Sequence, residues 1–172
     1  MREIRTAIVA VVASTVALGL AYPLLMTGAI QVAFPAEADG DPRLVARPYD
    51  DDLFQPRPSV TGYAAHATFF NNQGPNQRAL ADQLTGYVDD YLEREGPYAP
   101  GLTAAGIPVD AATTSASGID PDISVGNARI QAGRVAARRG LARPRVLDLV
   151  EATARRGIVN VNDLNAAVEA AR

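Results

Sequence analysis

The stretch best equipped for chemistry is Thr113-Thr114-Ser115-Ala116-Ser117-Gly118-Ile119-Asp120-Pro121-Asp122-Ile123-Ser124, where small hydroxyl residues and a glycine run into a helical pattern. Free N–H groups at a helix N-terminus, reinforced by the helix dipole, favour an anion there. The same residues also specify a turn: Asp120-Pro121 initiates it, Ser117 and Asp120 can accept main-chain hydrogen bonds, and Gly118 permits positive φ. A nucleophilic Ser117 would need a base, and His66 is the only histidine. One histidine cannot make a two-histidine metal site, and the absence of cysteine removes thiol nucleophiles, thiolate zinc sites and disulfides. All 16 cationic side chains are arginine, so a P-loop or Schiff base lacks its lysine. The expectation is a chain with no catalytic residue, no metal and no directly bound cofactor. A membrane-anchored extracytoplasmic hydrolase using Ser117 and His66, or a ligand-binding module at the helix start after Asp120, are the alternatives. Asp50-Asp51-Asp52 is expected to be a solvated loop, since consecutive side chains in an extended segment point to alternate sides.

These residues must be positioned by elements of two kinds. Residues 7–26 form an uncharged apolar run of 20 residues, and about 20 residues cross a hydrocarbon core as a helix. Ala36-Glu37-Ala38 has the form of a signal-peptidase site, but the apolar run is longer than the usual h-region and the site lies well beyond it, so retention as an anchor is expected. Arg2 and Arg5 on the short flank place residues 1–6 in the cytoplasm by the positive-inside tendency. Residues 7–34 are then the transmembrane helix and outer interface, 35–52 a linker, and 53–172 one extracytoplasmic domain. Ala10, Ser14, Ala17 and Ala21 form a stripe of small residues suited to helix packing in lipid. Pro23 should bend or end the regular hydrogen bonding. Residues 35–172 hold 14 Arg against 18 Asp and Glu, and the whole chain carries −3, which argues against nucleic acid as a partner.

Within the domain, Leu53-Phe54 and Arg57-Pro58-Ser59 read as strand-like. Asn76 is positioned to cap a helix over 77–95 with Leu80, Leu84, Tyr87, Val88, Tyr91 and Leu92 on one apolar face. A second helix should follow Ser124 or Asp122 as cap and stop at Arg138-Arg139-Gly140. Pro144 opens a third, with Val146, Leu147, Leu149, Val150 and Ala154 buried and Gly157 closing it. A strand over 158–161 and a last helix capped by Asn162 complete an α/β or α+β domain.

Several motifs in order resemble the KdpC family, subunits of bacterial potassium-transporting ATPases. They are Tyr22-Pro23-Leu24 with Thr27-Gly28, Arg57-Pro58-Ser59, Asn72-Gln73-Gly74-Pro75, Thr114-Ser115-Ala116-Ser117-Gly118-Ile119-Asp120-Pro121, Gln131 with Arg134-Val135-Ala136 and Arg139-Gly140, and Val159-Asn160-Val161 with Leu164-Asn165. The resemblance covers nearly the whole chain. It implies a non-catalytic subunit that joins a channel-like potassium-translocating subunit and a P-type ATPase subunit, with ATP and potassium handled by the complex and any rise in ATP affinity exerted indirectly. It also implies that Arg57, Pro58, Ser59, Asn72, Gly74, Pro75, Ser115, Ser117, Gly118, Asp120 and Pro121 form motif turns at a partner contact, with membrane lipid around the span. The chain departs from the family pattern at 41–49, where a hairpin and a Gly-Ser-x-Leu-Ile-Gly-Gln-x-Phe segment are shortened, at Asp122, where the family has histidine, and at Thr68-Phe69-Phe70-Asn71.

Overall fold

A computed structural model describes residues 2–38, 40–67 and 72–171; the departure at Thr68–Asn71 lies outside them. The chain divides into two compact units, 1–42 and 43–172. Residues 43–52, expected as linker, belong to the second.

In the first unit, α1 (Arg2–Val16), a π turn (Ala17–Ala21) and α2 (Tyr22–Ala33) run on as one apolar helix of 32 residues. At about 1.5 Å per residue this exceeds a hydrocarbon core of roughly 30 Å. Pro23 has no N–H for the carbonyl of Gly19 and would crowd it. The π turn absorbs the mismatch: Tyr22 N–H reaches back to the Ala17 carbonyl. Pro23 therefore distorts the helix without ending it. Ala10, Ser14, Ala17 and Ala21 are all exposed, and Ala17 and Ala21 bound the π turn. A short helix α3 (Pro35–Ala38) follows.

The second unit contains α4 (Arg78–Glu95), β1 (Asp122–Ser124), α5 (Val125–Arg139), α6 (Arg143–Thr153), β2 (Ile158–Asn160) and α7 (Val161–Ala170). The strands pair antiparallel, with Asp122 opposite Asn160 and Ser124 opposite Ile158, which makes the domain α+β. Ile123 and Val159 face inward onto Ala128, Ala132, Val135, Val146, Val150, Leu164 and Val168. As expected, Ser124 caps α5 by accepting from Asn127 N–H, and Gly140 ends it at φ +67°.

Other boundaries differ from expectation. Asn76 is not the cap of α4; Gln77 occupies that place with no side-chain bond, and of the expected apolar face only Tyr91 is buried. Gly157 does not close α6, which ends at Thr153, and instead allows the turn into β2 at φ +86°. The cap of α7 is Asn160, whose Oδ1 accepts from Asn162 and Asp163 N–H, because pairing with Asp122 already holds Asn160 extended. Asp51 and Asp52 are not merely solvated; they pair with Arg138 and Arg139 at 3.7 and 2.9 Å.

The largest difference lies at Leu53–Phe54, which are buried yet form no strand. Side chains satisfy this main chain instead. The Asn165 amide accepts from Phe54 N–H and donates to the Phe54 carbonyl, both at 2.9 Å. The Gln131 amide does the same for Gln55 at 2.8 and 3.1 Å. Arg134, fully buried, donates to the carbonyls of Asp51 and Leu53, to Gln131 and to the Glu95 carboxylate at 2.9 Å. Glu95 is equally buried and balances the Arg134 charge within the core, while itself also meeting Arg94 Nε at 3.0 Å.

Glu95→Ala should therefore leave an uncompensated buried guanidinium and cost about 3–5 kcal/mol. Glu95→Leu combined with Arg134→Met should cost less than the two single changes added together. Denaturant midpoints of the full chain in detergent measure both, and strict additivity would contradict the ion-pair account.

Candidate functional site

The Ser115–Pro121 turn is irregular but firmly braced, and its bracing comes from both directions. Within the turn, Ser115 Oγ accepts from Gly118 N–H at 3.0 Å, Ser117 Oγ from Ile119 N–H at 3.2 Å and Asp120 Oδ1 from Asp122 N–H at 3.0 Å. From the 57–63 segment, Ser59 Oγ donates to the Gly118 carbonyl at 2.6 Å and accepts from Thr61 and Tyr63 N–H. Arg57 donates to the Thr113 and Thr114 carbonyls and to the Thr113 hydroxyl, and meets Asp120 at 3.4 Å. Tyr63 in turn donates its phenol to the Arg57 carbonyl at 2.9 Å. The flanks are tied by Ala46 N–H to the Ile119 carbonyl and Val161 N–H to the Pro121 carbonyl.

Gly118 sits at φ +72°. A Cβ there would meet Thr61 Oγ1 at 2.7 Å and Ser59 Oγ at 3.4 Å, so both conformation and space demand glycine. Thr61 and Tyr63 were not foreseen as parts of this clasp. The Arg57-Pro58-Ser59 motif signals the region but carries no cue that the chain doubles back.

The helix start that offered an alternative anion site is met by a carboxylate of the chain itself. Asp110 Oδ2 accepts from Ser124 N–H at 2.8 Å and Asn127 Nδ2 at 3.0 Å. Burial alone would raise the Asp110 carboxyl, but the hydrogen bonds from Ser124 and Asn127 outweigh it and hold it below the ordinary carboxylate range. Asn127 Oδ1 also accepts from the Tyr91 phenol at 2.9 Å. Burial, then the Glu95 charge, pushes that phenol up and keeps it protonated as a donor.

Asp122 lies in a shallow cleft with Leu44, Arg57, Ser117, Asp120 and Asn160. Burial first and the Asp120 charge second raise its carboxyl. His66 is exposed, and among the described residues no hydrogen bond joins it to Ser117. Asn72, at φ +46°, Gly74 and Pro75 shape the approach to α4, where Gln77 N–H meets the Gly74 carbonyl. No hydrogen bond among the described residues links them to the clasped turn.

The family model "KdpC: K+-transporting ATPase, c chain" matches residues 4–170. A protein of Rhodopseudomonas palustris strain BisB18 named potassium-transporting ATPase KdpC subunit is 37% identical over 205 aligned positions covering all of both chains. Proteins of the same name from Rhodospirillum rubrum and Caulobacter sp. strain K31 are 39% and 40% identical. Those alignments cover 87% and 90% of this chain and 82% of each relative.

Two outcomes test the geometry. Gly118→Val should unseat the turn, whereas Ser117→Ala removes one hydrogen bond worth roughly 1 kcal/mol; near-equal losses of thermal stability would contradict the clasp. Because Asp110 is depressed in the fold, its contribution is present above the ordinary carboxylate range and lost as pH falls through its folded value. Asp110→Asn should lower stability at neutral pH and flatten the acid side of the stability profile, measured by denaturant titration across pH.

Proposed function

Because the chain belongs to the KdpC family of potassium-transporting ATPase subunits, we propose that it serves potassium transport as a non-catalytic subunit, acting through contacts alone. The observation that carries this reading is the employment of the turn hydroxyls: Ser115 and Ser117 both accept main-chain hydrogen bonds that shape the turn, and Arg57 and Ser59 brace it from outside. Such a turn is built to present a fixed surface. Its partners are the channel-like potassium-translocating subunit and the P-type ATPase subunit, with the clasped turn at the contact. The long apolar helix anchors the chain in the cell membrane, its N-terminus cytoplasmic and its α+β domain extracytoplasmic. In that orientation the domain cannot touch cytoplasmic nucleotide. Any effect on the pump's ATP affinity is transmitted through the assembled complex.

Within the membrane, the exposed stripe Ala10, Ser14, Ala17 and Ala21 offers a close-packing face for a partner helix. The π turn adds to this, since a carbonyl released by Pro23 can be satisfied by a neighbouring helix.

Copurification with the two large subunits tests the reading in a strain lacking the native gene. Ala17→Leu should reduce recovery of the complex several-fold while the domain stays folded, and undiminished recovery would remove the stripe from the interface. Ser117→Ala should preserve growth on limiting potassium; loss of growth with normal assembly would reopen a chemical role. The chain has no cysteine, so single cysteines at Arg2 and Glu169 report orientation cleanly. Labelling of the Glu169 position only after cell lysis would invert the proposed topology.

A further inference from the structure

The two ends of the strand pair differ in character. At one end Asp122 pairs with Asn160, and both line the cleft beside the clasped turn. The other end, where Ser124 pairs with Ile158, stands apart from that cleft and is flanked on both sides of the α5 start. On one side, Asp110 Oδ2 accepts from Ser124 N–H at 2.8 Å, and a Cβ at Gly126 would meet Pro108 Cγ at 3.7 Å. On the other, Val125 N–H donates to the Gly157 carbonyl at 3.2 Å.

Each flank ends in an exposed apolar side chain. Val109 is 77% and Ile158 47% exposed, and Val109 closes an uncharged run over residues 96–109. Next to Ile158, Arg155 and Arg156 are exposed and join no ion pair among the described residues. Their turn is closed by Arg155 N–H to the Ile158 carbonyl at 2.8 Å and by Ile158 N–H to the Arg155 carbonyl at 3.1 Å. Between them Arg156 has φ +53° and Gly157 φ +86°, the pattern of a type I′ turn. The first central position of such a turn favours asparagine or glycine, so arginine is held there against its backbone preference.

The carboxylates nearest in the chain are already engaged. Asp110 accepts from Ser124 and Asn127, and Glu151 meets Arg129 at 2.7 Å. In a domain where acids outnumber arginines, this end thus combines two uncompensated cations with two apolar tips. We propose that it docks on an anionic lipid surface, with Arg155 and Arg156 meeting headgroup phosphates while Val109 and Ile158 enter the interface. Cations beside single apolar tips suit such a surface, which offers phosphates above an apolar layer. The tether keeps that surface in reach: α2 ends at Ala33 and the domain begins at Arg43, a stretch of at most about 35 Å when fully extended. Docking presupposes the membrane anchor proposed above and leaves the clasped turn to its protein partners.

The chain has no tryptophan, so Val109→Trp reports contact with lipid. Gly86→Trp is the reference, on the exposed side of α4 where a Cβ would meet nothing within 4 Å. Each full-length variant is reconstituted in vesicles of phosphatidylcholine and phosphatidylglycerol whose acyl chains are brominated. Bromine should quench Val109→Trp roughly threefold more than Gly86→Trp. The difference should shrink in phosphatidylcholine alone, and also when Arg155→Gln and Arg156→Asn are added, the second of which suits the turn and spares the fold. Equal quenching of the two reporters, or a difference indifferent to anionic lipid or to the arginines, would overturn the proposal. Shielding of Val109→Trp that appears only when the two large subunits are added would assign this end to a protein and overturn it as well. Alkaline extraction separates the two readings: a chain stripped from the vesicles refutes the anchor and the docking together, whereas a retained chain with equal quenching refutes the docking alone.

Discussion

The domain depends on one buried guanidinium. Arg134 lies in the middle of α5, on the face that also carries Asn127 and Gln131 at helical spacing, and it joins α4 through Glu95 to the entering chain through Asp51 and Leu53. A charge with no access to water must find both a counter-ion and acceptors for its remaining protons. Glu95 supplies the first and the irregular main chain the second. Removing Glu95 strands Arg134, whereas removing Arg134 leaves Glu95 with Arg94 at 3.0 Å as its remaining counter-ion. Neighbouring Gly133 reinforces the constraint: a Cβ there would approach the Tyr98 carbonyl to 2.5 Å, so the turn after α4 rests directly on α5.

From this centre the polar side of α5 continues outward. Gln131 connects to Asn127, Asn127 to Tyr91 and Asp110, and Asp110 closes on the first turn of α5 at Ser124. The adjoining side, Ala128, Ala132 and Val135, is apolar and faces the hydrophobic core. One helix thus separates a hydrophobic core from a buried hydrogen-bonded layer. That layer ends where β1 leaves the clasped turn, so the turn's orientation is inherited from α5 through only a few residues. An internal carboxylate at the helix start also leaves that end of the dipole satisfied.

The elements with local signals were legible from sequence. Ser124 and Gly140 bound α5 as capping chemistry dictates, and Pro144 opens α6. Glycine at 118 was readable as a positive-φ position because an Asp-Pro turn with hydroxyl neighbours demands one. Distant partners set much of what was misread. Asn160 and Asn162 both suit a cap, and only the pairing of Asn160 with Asp122 decides between them. Leu53-Phe54 has the apolarity of a strand, but its long-range hydrogen-bond partners are the Arg134 guanidinium and the Asn165 amide, 81 and 111 residues away. Glu95 ends the helix expected over 77–95, and its pairing with Arg134, 39 residues on, carries no local cue. The clasp around Gly118 escaped for the same reason, since Ser59 lies 59 residues from the carbonyl that it holds.

The use of amides in place of a β-ladder bears on how far residues 41–49 can vary. A ladder couples register across several consecutive residues, and inserting or deleting one residue turns every side chain to the other face. Asn160, Asn162, Asn165 and Gln131 instead grip single peptide units of Arg43, Val45, Phe54 and Gln55. Any residue offers the carbonyls that they require, and any residue except proline offers the N–H. The segment between two grips can therefore change in length and composition, provided that its ends reach the same amides. A segment 41–49 shortened and without glycines, as the resemblance implies, would keep the core and the clasped turn. The grips stay in α5, β2 and α7, while the gripped chain is free to vary.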